Sequence, residues 1–104
     1  MLVVTTDQIA GKEVIEVLGF VTASTVRTRH LGRDLMATLK LLVGGEVHSY
    51  TQLLTRARED CLRSLEQDAE QLGADAIVAV RLTTSMIASG TAEIVAYGTA
   101  VRLS

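Results

Sequence analysis

The chain has 104 residues, 48% of them hydrophobic and only 3% aromatic, with no Trp and no Pro. That is one domain's length, and the composition excludes intrinsic disorder, a collagen-like repeat and a disulfide scaffold. A net charge of −2 and a pI near 5.6 offer no global attraction for nucleic acid or an anionic membrane.

Val3 to Thr5 reads as a short strand, followed by a turn through Asp7 and Gly11. Glu13 to Val26 is a long strand rich in β-branched residues. Val14, Leu18 and Phe20 fall on one alternating face, and Ile15, Val17 and Val21 on the other. Apolar residues on both faces predict a strand covered on both sides. The start of the chain lacks a basic n-region and meets Asp7 too early for a signal peptide. With a single cysteine, Cys61, no intrachain disulfide forms, so a reducing cytoplasm is expected.

Two helices are expected next. Asp34 to Val43 carries Leu35, Leu39, Leu42 and Val43, and Gly44-Gly45 ends it. Its apolar stretch is too short, and too interrupted by Lys40, to span a membrane. The second helix runs from about Ser49 to Leu72. Ser49 and Gln52 have capping-box spacing. Tyr50, Leu54, Ala57, Cys61, Leu65, Ala69 and Leu72 form one stripe. Glu59 and Arg63 are spaced for an i,i+4 ion pair, and Gly73 suits the position after the last turn. Arg56, Arg58 and Arg63 lie early in this helix, with Glu66, Asp68 and Glu70 late, which opposes the macrodipole. A neighbouring subunit's basic segment, Arg27, Arg29 and Arg33, is the expected partner for these acids.

Asp75 to Ser85 and Ala92 to Leu103 then form a hairpin around Ser89-Gly90. On the first strand Ala76, Val78, Val80 and Leu82 share one face and Ile77 and Ala79 the other. On the second, Ala92, Ile94, Ala96, Gly98 and Ala100 make a face of small side chains suited to close approach by the long helix. The fold class is therefore α+β: a single β-β-α-α-β-β domain over residues 1–104, its antiparallel sheet carrying the helices on one face. The outer sheet face keeps Ile15, Val17, Val95 and Val101, a patch that points to burial between subunits.

Residues able to do chemistry are few. Cys61 lies on the apolar stripe, where a free cysteine behaves as a small hydrophobe. His30 and His48 each stand alone, without the paired spacing of a metal site, although a ring could bring one per subunit together about an axis. These three are the only soft-metal candidates; Met1, Met36 and Met86 form no soft-metal motif, and the latter two are read as core filling. The basic cluster of Arg27, Arg29, His30 and Arg33 lacks interleaved aromatics for base stacking and reads as a loop or subunit contact. Asp75, Glu93, Glu16 and Glu13 could meet only through folding. There is no phosphate loop and no nucleotide fingerprint, so an enzyme reading has no motif to support it.

The runs ARED (57–60), AEQLGADAIVAVRLTTS (69–85) and EIVAYGTAVRL (93–103) resemble the YbjQ family. VTTDQIAGKEVIEVLGFVTAST and LVGGEVHSYTQLLTRAR extend the resemblance over essentially the whole chain. Ala23 and Ala79 stand where that family usually has glycine. The resemblance implies a dodecin-like subunit in a homopentamer joined partly by short strands, and carries a heavy-metal-binding label. No set of catalytic or ligand residues transfers with it. The expectation is a cytoplasmic, non-catalytic homo-oligomer, with metal binding at symmetry-repeated sites as the alternative and an enzyme of unknown type behind it.

Overall fold

The structure is a computed structural model that describes residues 1–28, 46–88 and 91–104. The described elements are β1 (Leu2–Val3), β2 (Val14–Thr28), α1 (Glu46–Gln71), β3 (Ala76–Ala88) and β4 (Thr91–Leu103). The expected helix over Asp34–Val43, its Gly44-Gly45 stop, and the Ser89-Gly90 turn lie outside the described residues. Four strands form one sheet in the order β1-β3-β4-β2. β3–β4 and β4–β2 are antiparallel, but β1 runs parallel to β3. The sheet is thus mixed rather than antiparallel, because the N-terminal segment lies beside the start of β3. The Val4 amide donates to the Ile77 carbonyl at 3.0 Å, and the Val80 amide to the Val4 carbonyl at 3.0 Å.

The apolar stripe of α1 packs as its spacing demands: Ala57, Cys61, Leu65 and Ala69 are fully buried. They meet Val21 and Ala23 of β2, Ile77 and Val80 of β3, and Ile94, Ala96 and Ala100 of β4. The small side chains of β4 are indeed the seat of the helix. Gly98 shows how tight that seat is, since a Cβ there would stand 2.8 Å from Ile77 Cγ2 and 3.0 Å from Val80 Cγ2. The helix ends with Gly73 at φ +79°, as a residue after the last turn should. Its start differs from expectation. α1 begins at Glu46, so Ser49 lies inside the helix and cannot cap it. Leu72 falls beyond the last turn and stays exposed. Arg63 pairs with Asp60 at 3.3 Å rather than with Glu59, a surface contact worth well under 1 kcal/mol.

Bulges rewrite the strand faces. In β3 the register shifts between Val78 and Arg81, where Ala79 takes φ +54°. The extra residue puts Ile77 and Val80 together under the helix, while Ala76 and Val78 face outward into a second cluster with Val101. Simple alternation placed Ala76, Val78 and Val80 on one face, and a bulge is the device that breaks such alternation. β2 shifts twice, at Val14/Glu16 and Val17/Gly19. Leu18 and Val21 therefore turn toward the helix and Val14 toward the outer cluster. Ile15, Val17 and Phe20 remain 62%, 66% and 69% exposed. Among the described residues of one chain, β2 is not covered on both sides. Val101, expected on the exposed patch, is instead buried beneath the N-terminal segment.

The molecule is long, 53 × 22 × 19 Å with a radius of gyration of 17.0 Å, against about 13 Å for a compact domain of this length. The long axis follows the strands, since the fifteen residues of β2 span about 50 Å.

Candidate functional site: a groove on the outer sheet face

The sheet face away from α1 carries a groove of about 630 Å³ between the 7–13 segment and the strands. Such a volume lies within the usual range for small-molecule sites. Val14, Val17, Val78 and Val101 give it an apolar floor, Ile9 overhangs it, and Asp7, Gln8, Lys12 and Glu13 supply a polar rim. Thr99 of β4 adds a hydroxyl to the lining.

The overhang is fastened at both ends. The Ala79 amide donates to the Thr6 carbonyl at 2.9 Å, and Arg81 donates to the Thr5 carbonyl at 2.8 Å and to the Val80 carbonyl at 2.9 Å. At the other end the Ser104 amide donates to the Glu13 carbonyl at 2.9 Å, and the Glu13 amide donates to Ser104 Oγ at 3.2 Å. Between them the Lys12 amide closes a turn on the Ile9 carbonyl at 3.1 Å. The left-handed backbone of Ala79 has a clear local task here. It turns the β3 amide out of the sheet ladder and onto the N-terminal segment.

Outside the groove the same face carries an aromatic pair. Phe20 and Tyr97 sit with ring centroids 6.4 Å apart, and Tyr97 is 38% exposed. On the opposite face, near Gly73 at the end of α1, Arg102 reaches Glu16 at 3.7 Å.

The residues singled out from sequence do not gather in the groove. His30, Arg29 and Arg33 lie outside the described residues, and His48 is in the first turn of α1 with its side chain outside them. Cys61 lies in the core with its thiol within donating distance of the Ala23 carbonyl at 3.2 Å and of the Ile94 carbonyl at 3.7 Å. His48 and Cys61 are thirteen residues apart on one helix, which separates them by about 20 Å along its axis. Within one chain they cannot share a metal ion. Among the described residues no three His, Cys, Asp or Glu side chains converge as a metal site would need. The four carboxylates that folding could have gathered are dispersed. Asp75 Oδ2 accepts from the Leu103 amide at 2.9 Å, Glu16 faces Arg102, Glu93 is half-buried on β4, and Glu13 is on the groove rim. The late acids of α1 are open to a partner, with Asp68 and Glu70 exposed and Glu66 half-buried. The sequence did hint at the groove, through Ile9 standing apolar within a polar turn. No helix among the described residues is long and apolar enough to cross a membrane.

A family model described as "putative heavy-metal-binding" matches residues 1–104 of this chain. The chain belongs to the YbjQ family. It is 52% identical to a UPF0145 protein of Vibrio parahaemolyticus over 103 residues, covering 99% of this chain and 98% of that one. A UPF0145 protein of Methanosarcina acetivorans is 50% identical over 103 residues, covering 99% and 97%. The YbjQ chain also superposes on the crystal structure of a Pediococcus pentosaceus protein of unknown function, of the DUF74 family. That match has a TM-score of 0.68 at 16% identity and covers 100% of this chain and 98% of the other. At that identity the likeness speaks to fold alone.

Proposed function

We propose that this YbjQ chain is the subunit of a cytoplasmic, non-catalytic homopentameric binding protein, and that the outer-face groove is its ligand cleft. The observation that carries the reading is the groove itself, roomy, apolar-floored and rimmed by charges of both signs. Those features suit a small molecule with an apolar body and a polar end. The exposed apolar surface continuing from Val17 to Phe20 and Tyr97 supports assembly, because a soluble monomer seldom leaves such a patch uncovered.

Light scattering on the purified protein tests the assembly. Five copies of an 11.1 kDa chain give about 55 kDa, and a mass of one chain overturns the reading. For the cleft, the probe is 1-anilinonaphthalene-8-sulfonate. Saturable fluorescence is expected with the native protein, and Thr99→Trp, which fills the groove floor, should abolish it. Undiminished fluorescence in that variant removes the groove from consideration.

The family description favours a second reading, heavy-metal binding. With Cys61 sealed in the core, His30 and His48, repeated by symmetry, would be the soft ligands of such a site. Equilibrium dialysis against Zn²⁺, Cu⁺ and Ni²⁺ tests it: uptake in fixed ratio to subunits, lost in His30→Ala or His48→Ala, supports metal binding. No stoichiometric uptake disposes of it.

A further inference from the structure

Strand register sets out the outer sheet face in rows. Ala76, Val101 and Val17 stand level across β3, β4 and β2, and Val78, Thr99 and Phe20 form the next row. Arg81, Tyr97 and Thr22 form the third. Their neighbours Val80, Ala96 and Val21 lie beneath the helix, which turns this third row outward. The groove is lined from the first two rows. Tyr97 follows about 13 Å along β4 from Val101.

Arg81 is the informative member of the third row. Its Nη1 donates to the Thr5 carbonyl at 2.8 Å and to the Val80 carbonyl at 2.9 Å. That one nitrogen fastens the root of the overhang. Nη2 and Nε are left unengaged among the described residues. Carbonyls hold a guanidinium in place without neutralising it, and the described ion pairs belong to Arg63 and Arg102. A guanidinium fixed in one orientation, with two donors spare, fits the two oxygens of a carboxylate.

We infer that the cleft takes a straight-chain monocarboxylate. Its carboxylate sits on Arg81, and its alkyl chain passes Tyr97 and Phe20 over Thr99 toward Val17. The inference rests on the cleft reading above and names the polar end of its ligand. Rows standing in line call for an extended body, and decanoate has about that reach. Asp7 and Glu13 offer the opposite sign, but they share the rim with Lys12. Among the described residues no hydrogen bond or ion pair orients either of those carboxylates.

Titration calorimetry with decanoate, decylamine and decan-1-ol on wild type and Arg81→Lys is the test. Decanoate should bind wild type about tenfold tighter than the amine or the alcohol. Arg81→Lys keeps the charge but loses the fork, so decanoate should weaken about tenfold with decan-1-ol unchanged. Equal losses for both ligands make Arg81 a fastener of the overhang alone and overturn the pairing. The contact is read separately in wild type from carbon-13-labelled decanoate. A guanidinium beside the bound carboxyl should bring its titration midpoint below that of the free acid. A midpoint at or above the free value overturns the pairing. Preference for decylamine moves the polar end to Asp7 and Glu13 and overturns the carboxylate while the cleft stands. Absence of decanoate binding also overturns the inference, and the cleft falls with it only if saturable anilinonaphthalene sulfonate fluorescence is missing too.

Discussion

Ala79 gives the sharpest test of the fold. It holds φ +54°, a conformation that costs an L-residue about 1–2 kcal/mol. Glycine would relieve that strain, lose about 0.5–1 kcal/mol to the freedom of its unfolded chain, and forfeit part of a half-buried methyl worth about 0.8 kcal/mol in full burial. Ala79→Gly should therefore leave the protein about 0.5 kcal/mol more stable. At Ala96, fully buried in the same core and with ordinary strand backbone, nothing offsets the two losses. Ala96→Gly should cost about 1.5 kcal/mol. The same chemical change at two sites is thus expected to differ by about 2 kcal/mol and in sign. Urea unfolding at fixed subunit concentration measures both, because association adds a concentration-dependent term to stability. If Ala79→Gly destabilises as much as Ala96→Gly, with m unchanged, β3 has no left-handed residue there. The bulge argument then fails, and with it the joint placement of Ile77 and Val80 under the helix.

Two other outcomes follow from the packing. Gly98→Ala drives a methyl to within 2.8 Å of Ile77 Cγ2 and 3.1 Å of the Val78 carbonyl oxygen. It should cost about 1–3 kcal/mol, partly restored by Ile77→Val, and a neutral result in urea unfolding contradicts the close approach. The Cys61 thiol is fully buried and directed at backbone carbonyls, so Ellman's reagent should leave it unmodified in the native protein and titrate one thiol per chain after unfolding. Rapid labelling without denaturant would place Cys61 at the surface and reopen it as a ligand.

Spacing alone determined much of this protein. The stripe Ala57, Cys61, Leu65, Ala69 fixed which side of the long helix is buried, because a helix repeats every 3.6 residues and tolerates little slippage. The small residues of β4 named the surface it would meet, and Gly73 marked where it would stop. The motifs over the whole length led to the family. What only tertiary structure decided begins where a period breaks. A single extra residue at Ala79 or in β2 reverses every side chain beyond it, and nothing in a lone sequence requires the shift. The parallel placement of β1 and the groove beneath Ile9 depend on contacts between the chain's first residues and its last third. Those contacts leave no local periodicity. The apolar excess of the composition was legible from the start, but its division was not. Part of it packs under α1, part under the N-terminal segment, and Ile15, Val17 and Phe20 remain outside. Burial is settled by which surfaces meet, and among the described residues no surface meets those three.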